Sequence, residues 1–534
     1  VDITQALGQK ILLAFHGKDK PSEEIKSALR EYRASGVTLF RSMNIDSPAQ
    51  VRHLTDQLQQ LARELGLPPL LIATDQEGGQ LMAIGSGTTP LPGNMALGAT
   101  GSTDLARRAG EVLGRELAAM GLNVDYAPSV DVNVNPQNPV VGVRSFGGDA
   151  ALVARLGAAL VEGIQSQGVA ATAKHFPGHG DTIGDSHHGL PAVLHTLERL
   201  QSLEFPPFEA SIAAGVKMIM SAHLALPALD GPQAPPATLS GNILQNLLRR
   251  KLGFEGVIIT DAMDMHAIRQ GEFLGEDALR AVNAGADILL LTASPADQQR
   301  VYAALLRAAQ TGALDQEEVQ ASAQRIAALK DWLAQNRTRP ALHVIGCAEH
   351  MQVALEIARQ SITLVRDGAH LLPLHPQPNQ RIAVVMPRPV DLTPADTSSY
   401  IVPGLASALR VYHPNVDEFI IPYAPGDGDI MGLREQLSHY DILVIATLNA
   451  YNQPGQQAIV RVALETGLPT VVAALRLPYD LASFPEAPTY LCSYSILEPS
   501  MQALAETVFG YRQATGHLPV AIPGLYESGH SFQG

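Results

Sequence analysis

The chain has 534 residues, enough for roughly two to four domains of ordinary size. Hydrophobic residues make up 46% and charged residues 17%, a globular composition that excludes a disordered or fibrous chain. A net charge of −15 argues against nucleic-acid binding through phosphate contacts, and two cysteines, Cys347 and Cys492, are too few for a disulfide framework.

Short apolar runs recur through residues 1–338: Ile11–Phe15, Gly36–Phe40, Leu70–Asp75, Val124–Asp131, Val169–His175, Met218–His223, Gly256–Asp261 and Asp287–Thr292. They are rich in aliphatic residues and lack strict alternation, as expected of strands buried on both faces of a parallel sheet. Amphipathic segments separate them: Ser22–Ala34, Ser47–Leu65, Ser102–Met120, Ala150–Gln167, Leu200–Ala214, Ser240–Leu252, Glu276–Ala284 and Asp315–Gln335. Ser22, followed by two glutamates, reads as a helix cap. Repeated strand–helix units over this length predict a (β/α)8 barrel of the TIM type. An open doubly wound sheet is the alternative, but Phe15-His16-Gly17-Lys18 is not its glycine-rich phosphate turn.

Asn336–Pro340 reads as a linker, and the rhythm restarts over 339–534 with different spacing. Apolar runs at Ile382–Met386, Asp417–Ile421, Ile442–Thr447, Thr470–Leu475 and Thr489–Tyr494 alternate with helical segments Glu349–Leu364, Met431–Ser438, Gln457–Thr466 and Pro499–Phe509. This predicts a second, smaller α/β domain with an open, mostly parallel sheet, and Thr393–Ser399 reads as a loop. No stretch has the ~18 consecutive apolar residues of a membrane span, and the first residues carry no visible signal segment. A cytoplasmic protein with no membrane partner is therefore expected.

Barrel active sites sit at the carboxyl ends of the strands, so the polar residues ending each run are the candidates. They are Asp75 and Glu77, Asp131 with Arg144 downstream, Lys174 and His175, His223, and Asp261. The loop after the fifth run adds His179, Asp181, Asp185, His187 and His188 among glycines 178, 180 and 184. Such a concentration of charge suits either metal ligation or acid/base catalysis by a histidine beside a carboxylate, as Asp185 would serve His187. The plainer reading is that some of these side chains only hold the loop's turns. Asp261 is a candidate nucleophile; its plainer reading is a helix cap, a role Asp264 can take instead. Lys174 and His175 can donate to sugar hydroxyls, and Asp75 can accept from them.

Together these motifs resemble glycoside hydrolase family 3, in its bacterial β-N-acetylglucosaminidase branch. The residues that carry the resemblance are Asp75–Gly79, Asp131 with Asn138-Pro139 and Arg144–Gly147, Lys174–Thr182 with Asp185-Ser186-His187, Met220–His223, Pro236–Ser240 and Gly253–Gly256 leading to Thr260-Asp261-Ala262. Leu371–Leu374, Pro478–Asp480 and Gly516–Gly524 extend it into the second domain, where the family has an α/β sandwich. The resemblance implies Asp261 as nucleophile, His187 as acid/base with Asp185 as its partner, and Asp75, Arg144, Lys174 and His175 as substrate-binding residues. It implies a retaining, exo-acting β-N-acetylhexosaminidase that needs no cofactor or metal, with an N-acetylglucosamine-containing carbohydrate as substrate and peptidoglycan recycling or chitin-oligosaccharide breakdown as setting. Gln80 and Ala83 stand where the branch has arginines, which bears on the identity of the sugar.

A histidine acid/base is neutral after giving up its proton and does not repel an incoming anion, so a phosphorylase using phosphate in place of water is one alternative. A β-glucosidase with an altered sugar pocket is another. Outside this chemistry stand a zinc amidohydrolase, with His175, His179, His187, His223 and Asp261 as ligands, and a sugar-binding protein without catalysis. Oligomeric state is not legible in the sequence.

Overall fold

The computed structural model describes residues 3–182, 184 and 189–532. Eight parallel strands, β1 (Ile11–Ala14), β2 (Gly36–Thr38), β3 (Leu71–Thr74), β4 (Val124–Asp125), β5 (Ala170–Phe176), β6 (Met218–Ser221), β7 (Val257–Thr260) and β8 (Leu289–Leu291), pair in sequence order. Strand β8 pairs with β1, and the Ile259–Ile288 bridge joins β7 to the start of β8, so the sheet closes into the barrel.

The uninterrupted apolar runs have a simple cause. Leu12, Leu71, Val124, Met218, Met220, Ile259 and Leu290 fill the barrel interior. Their neighbours Ile11, Leu13, Ile72, Ile219 and Ile258 turn outward onto the helices. Both faces are dry, so both need aliphatic side chains. Ile326, Leu329 and Leu333 of helix Gln316–Asn336 join the interior cluster.

Several barrel helices begin at side-chain caps that the sequence shows. The hydroxyls of Ser22, Ser47 and Ser102 accept from the backbone N–H of Ile25, Gln50 and Leu105. Some details differ from the reading of the sequence. The fourth run keeps regular pairing only over Val124–Asp125, because Pro128 lacks an N–H to donate. The segment 200–214 is two helices, Leu197–Leu203 and Pro206–Ala213, divided at Pro206-Pro207. Helix Pro295–Thr311, capped by Ser294, lies between β8 and the last barrel helix, where no helix is expected above.

The second sheet contains β9 (Thr363–Asp367), β10 (Ile382–Pro387), β11 (Val416–Ile421), β12 (Ile442–Thr447), β13 (Thr470–Ala474) and β14 (Thr489–Cys492), in the order β9-β14-β13-β12-β10-β11. It is parallel except for edge strand β9, which runs antiparallel to β14. Strand β9 is the one the sequence reading does not place; the helix expected through Leu364 stops at Ser361. The strand order reverses direction at β10, and helices cover the sheet, so the fold is a barrel followed by an α/β sandwich.

The carboxyl edge of this sheet faces the barrel. Tyr423, Asn449 and Leu477 follow β11, β12 and β13, and line a crevice of about 210 Å³ together with Gln80, Asn138 and Val140 of the barrel loops. The Tyr479 hydroxyl accepts from Asn133 Nδ2 at 3.2 Å. Farther out, Glu116 accepts from Gly346 N at 2.9 Å and pairs with His350 Nδ1 at 2.8 Å. Among the described residues no helix is long and apolar enough to cross a membrane.

Candidate active site

A pocket of about 450 Å³ opens over the carboxyl ends of the barrel strands. Asp75, Arg144, Lys174, His175 and Asp261 all line it. Tyr126, Met220 and Leu290 contribute apolar surface to the same pocket. Asp185 and His187 lie outside the described residues.

Lys174 and His175 are adjacent in β5, yet both reach the pocket. The pairing of β5 with β6 shifts register between Ala173 and Phe176, and such an irregularity re-aims side chains at a strand end. Lys174 Nζ pairs with Asp75 Oδ1 at 2.6 Å and with Glu77 Oε1 at 2.8 Å. Glu77 in turn accepts from Arg144 Nε at 3.0 Å and Nη2 at 2.7 Å. Burial would raise the Glu77 carboxyl, but Arg144 and Lys174 hold it down at about 2. Burial opposes the charge of Lys174 as well, and Asp75 and Glu77 overcome it and raise its pKa. The four groups, Arg144, Lys174, Glu77 and Asp75, form one chain of ion pairs. Asp75 is the member left open, its side chain 22% exposed against 1% for Lys174 and Glu77.

The turn that carries Glu77 depends on glycine. Gly78 and Gly79 have φ of +81° and +61°, and a Cβ on Gly79 would stand 2.7 Å from the Pro92 carbonyl oxygen. Arg144 is delivered by the short helical turn Gly142–Arg144, whose last carbonyl accepts from Asn94 Nδ2 at 2.7 Å.

A second pair sits beside this cluster. Asp131 Oδ2 lies 2.7 Å from His175 Nδ1, and Oδ1 accepts from His179 N at 2.7 Å and from His175 N at 3.2 Å. Burial pushes the Asp131 carboxyl up, but His175 and His179 outweigh it and hold it well below the ordinary carboxylate range. An ionised Asp131 fixes the proton of His175 on Nδ1 and leaves Nε2 as the ring's other hydrogen-bonding atom. His179 is buried, which lowers its pKa and favours the neutral ring. Beneath the site, burial raises the Asp125 carboxyl well above its usual range.

Asp261 follows β7 directly. Its backbone N–H donates to Ser221 O at 3.1 Å and its Oδ1 accepts from Ala262 N at 2.8 Å. Neither Asp261 nor Asp264 caps a helix, contrary to the plainer reading above. The chain turns irregularly through 262–270, and the following helix, Leu274–Ala284, starts after Phe273. Both Asp261 and Asp264 face the pocket. His223 does not line it: Nδ1 lies 2.8 Å from Thr238 Oγ1 and Nε2 lies 3.0 Å from the Ala262 carbonyl oxygen. Its ring thus holds the segment after Asp261 and is not spare for the zinc site considered above. Among the described residues no three His, Cys, Asp or Glu side chains are arranged to hold a metal.

The wall of the pocket nearest the second domain contains residues the sequence reading did not select. Arg41, which starts the short helix Arg41–Asn44 after β2, donates from Nη1 to Met82 O at 2.9 Å, and its guanidinium lies 3.9 Å from the ring centroid of Tyr400. Asp391, Pro394, Ala395, Asp396, Thr397 and Tyr400, all from the loop after β10, complete that wall. Arg41 had a local signal, since it is the first residue after the second apolar run, Gly36–Phe40. The loop residues had no such signal, because their place depends on how the two domains dock.

Comparison with known proteins gives the following. The model of the glycosyl hydrolase family 3 N terminal domain matches residues 3–329. The chain is 32% identical to Beta-hexosaminidase A of Pseudoalteromonas piscicida, covering 97% of each. It is 30% identical to a Beta-N-acetylglucosaminidase/beta-glucosidase of Cellulomonas fimi, over 97% of this chain and 93% of the other. Its fold superimposes on a glycoside hydrolase family 3 beta-N-acetylglucosaminidase from Paenibacillus sp. str. FPU-7 with a TM-score of 0.91 and 37% identity, covering 97% of this chain and 98% of that one.

Proposed function

This chain belongs to glycosyl hydrolase family 3, and from that premise we propose that it is a retaining, exo-acting β-N-acetylglucosaminidase, releasing terminal β-linked N-acetylhexosamine from oligosaccharides or muropeptides. The observation that carries the reading is the convergence of Asp261 with Asp75, Lys174, His175 and Arg144 in one pocket over the barrel.

The work divides among these groups as follows. Asp75 and Lys174, joined by an ion pair at 2.6 Å, accept from and donate to ring hydroxyls. His175, oriented by Asp131, presents Nε2 to the same ring. Arg144 stands at the side of the pocket where the N-acetyl group is placed by family resemblance. Asp261 attacks the anomeric carbon, and the bond to the leaving oxygen breaks as His187 donates its proton to that oxygen. Asp185 stabilises the imidazolium. Neutral His187 then takes a proton from water, which attacks the glycosyl-enzyme and releases Asp261.

Turnover of aryl β-N-acetylglucosaminide and aryl β-glucoside by the same protein, with and without phosphate, tests the reading. Hydrolysis confined to the N-acetyl sugar and indifferent to phosphate is the expected result. A sugar 1-phosphate product would move the enzyme to the phosphorylases, and preference for the plain glucoside would make it a β-glucosidase. Action in the cytoplasm on wall- or chitin-derived oligosaccharides belongs to the same proposal, and fractionation of the source cells checks the compartment.

A further inference from the structure

Lys10, Lys174 and Lys330 are all buried in the barrel domain, but their surroundings differ. Lys10 Nζ donates to Ala286 O at 3.0 Å and to Ser322 Oγ at 2.6 Å; burial lowers its pKa to about 8, against the pull of the Asp287 and Glu318 carboxylates. Lys174 has Asp75 and Glu77. Lys330, on helix Gln316–Asn336, donates to Gln9 Oε1 at 2.8 Å, and among the described residues that amide oxygen is its only hydrogen-bond or ion-pair partner. Burial alone lowers its pKa, to about 7, with no carboxylate opposing the shift. An ammonium carries three N–H donors, so two remain for a ligand. Burying a cation is costly until an anion meets it.

Lys330 lines a cavity of about 330 Å³ at the end of the barrel opposite Asp261. The cavity lies where Leu70 precedes β3, Asn123 precedes β4 and Gly168 precedes β5, the amino ends of these strands. Leu67, Leu70, Leu122 and Leu333 give it an apolar wall. Neutral polar groups on the wall are engaged by the protein. The Gln59 amide bonds both N and O of Leu70, the Asn123 amide bonds Ile72 N and Leu70 O, and Thr55 Oγ1 donates to Met120 O. Among the described residues Asp56 is the one carboxylate lining the cavity, and it pairs with Arg52 and Arg339. Positive charge is what remains. Arg63 and Arg337 line the cavity with Lys330, and among the described residues neither guanidinium has an acidic partner.

The unmatched charge and the apolar wall together specify a ligand. A cavity of this volume is the size that takes a small organic molecule. Two spare N–H groups on one ammonium match the two oxygens of a carboxylate, and one charge neutralises the other. A phosphate monoester brings nearly two negative charges to a single buried cation and leaves one of them unmatched there. Arg63 and Arg337 are exposed, and they make the opening locally positive on a chain whose net charge is −15. Their charge draws an anion in, and the leucines cover its apolar part.

We propose that this cavity is a binding site for a small organic carboxylate with an apolar body, its carboxylate oxygens accepting from the Lys330 ammonium and its body lying against Leu67, Leu70, Leu122 and Leu333. The site is separate from the Asp261 pocket and goes beyond the function proposed above. Its ligand stabilises the barrel, because it binds the folded chain and not the unfolded one.

The test is calorimetric titration of the full chain with octanoate. Octanol serves as the uncharged probe of the same length, and inorganic phosphate as the anion without an apolar body. Octanoate should bind at one site per chain, and octanol about tenfold more weakly, the scale of a charge-assisted hydrogen bond. Lys330→Met keeps the unbranched stem and removes the charge; it should weaken octanoate by about tenfold and leave octanol unchanged. Arg337→Gln, at an exposed position, should weaken octanoate about two- to threefold at low salt and not at high salt. Ala334→Trp, on the same wall and also exposed, fills the cavity and should abolish binding, which keeps the test decisive even for a Lys330→Met protein that does not fold. No binding of octanoate to the wild type overturns the proposal. So does octanoate binding that neither Lys330→Met nor Ala334→Trp reduces, since it then lies elsewhere. Equal affinity for octanoate and octanol overturns the role of the carboxylate, and phosphate binding tighter than that of octanoate overturns the choice of ligand. None of these readouts uses the sugar reaction, so they stand apart from the proposed function.

Discussion

The pocket has two sides built on opposite principles. The barrel side consists of strand ends carrying ionised groups, Asp75, Glu77, Lys174 and Arg144, packed so that each charge is matched by another. The second-domain side is a loop held by backbone contacts, with one aromatic ring turned outward. Buried charge is expensive unless paired in good geometry, so the barrel side tolerates few substitutions. The loop's contacts are individually small, and its side chains are open to change without disturbing the fold. The difference is physical: one side is fixed by buried paired charges, and the other by backbone contacts that leave its side chains exposed.

The comparison can be broken or sharpened by substitution. The largest effect is expected at Asp261, where Asp261→Asn should lower kcat on an aryl N-acetylglucosaminide by roughly four orders of magnitude or more with the fold intact by circular dichroism. Near-normal turnover would remove Asp261 from its role. Glu77→Gln comes next. It leaves two buried cations short of a carboxylate and should cost about 3–5 kcal/mol in denaturant unfolding.

The same carboxyl predicts a pH dependence with a definite sign. Its folded value is about 2, below the ordinary 4.5, so its stabilisation is complete above about 4.5 and is lost as pH falls from there toward 2. Thermal unfolding across that window should fall more steeply for the wild type than for Glu77→Gln.

Asp131→Asn should act through His175. Misorienting that ring is expected to lower kcat/KM by about 10²-fold, with a changed pH profile that a purely structural loss would not produce. The smallest effect is expected on the loop: Thr397→Ala removes the hydroxyl contacts to Gln80 and Met82 and should cost about 1 kcal/mol, read as a small fall in Tm. A loss there as large as that of Glu77→Gln would show that the loop carries the pocket and does not merely flank it.

Much of this was legible in the sequence, for reasons that are local. Two dry faces on every barrel strand demand aliphatic runs, and each run ends in the polar residues that water or substrate can reach. That is why Asp75, Lys174, His175 and Asp261 stand out without a structure. Missing from such a reading are pairs that chain distance hides. Asp131 and His175 are 44 residues apart, and nothing local says that one carboxylate binds the ring and two backbone N–H groups. Helix Pro295–Thr311 carries a local signal in its Ser294 cap and first-turn proline. Strand β9 carries none, because a five-residue edge strand directly after a helix continues the helix's apolar pattern.

The sequence by itself determined the barrel, the second parallel sheet, and the polar residues at the barrel's strand ends. Periodicity and burial are properties of each segment, and they survive without knowledge of its neighbours. Only the tertiary structure decided how charges pair at the floor, and that the loop after β10 meets Gln80, Met82 and Arg41 from a different domain. Those contacts join residues more than 300 positions apart. They come into being when two independently patterned sheets dock with their carboxyl edges facing, a geometry set by the whole surface of each and by no single stretch of either.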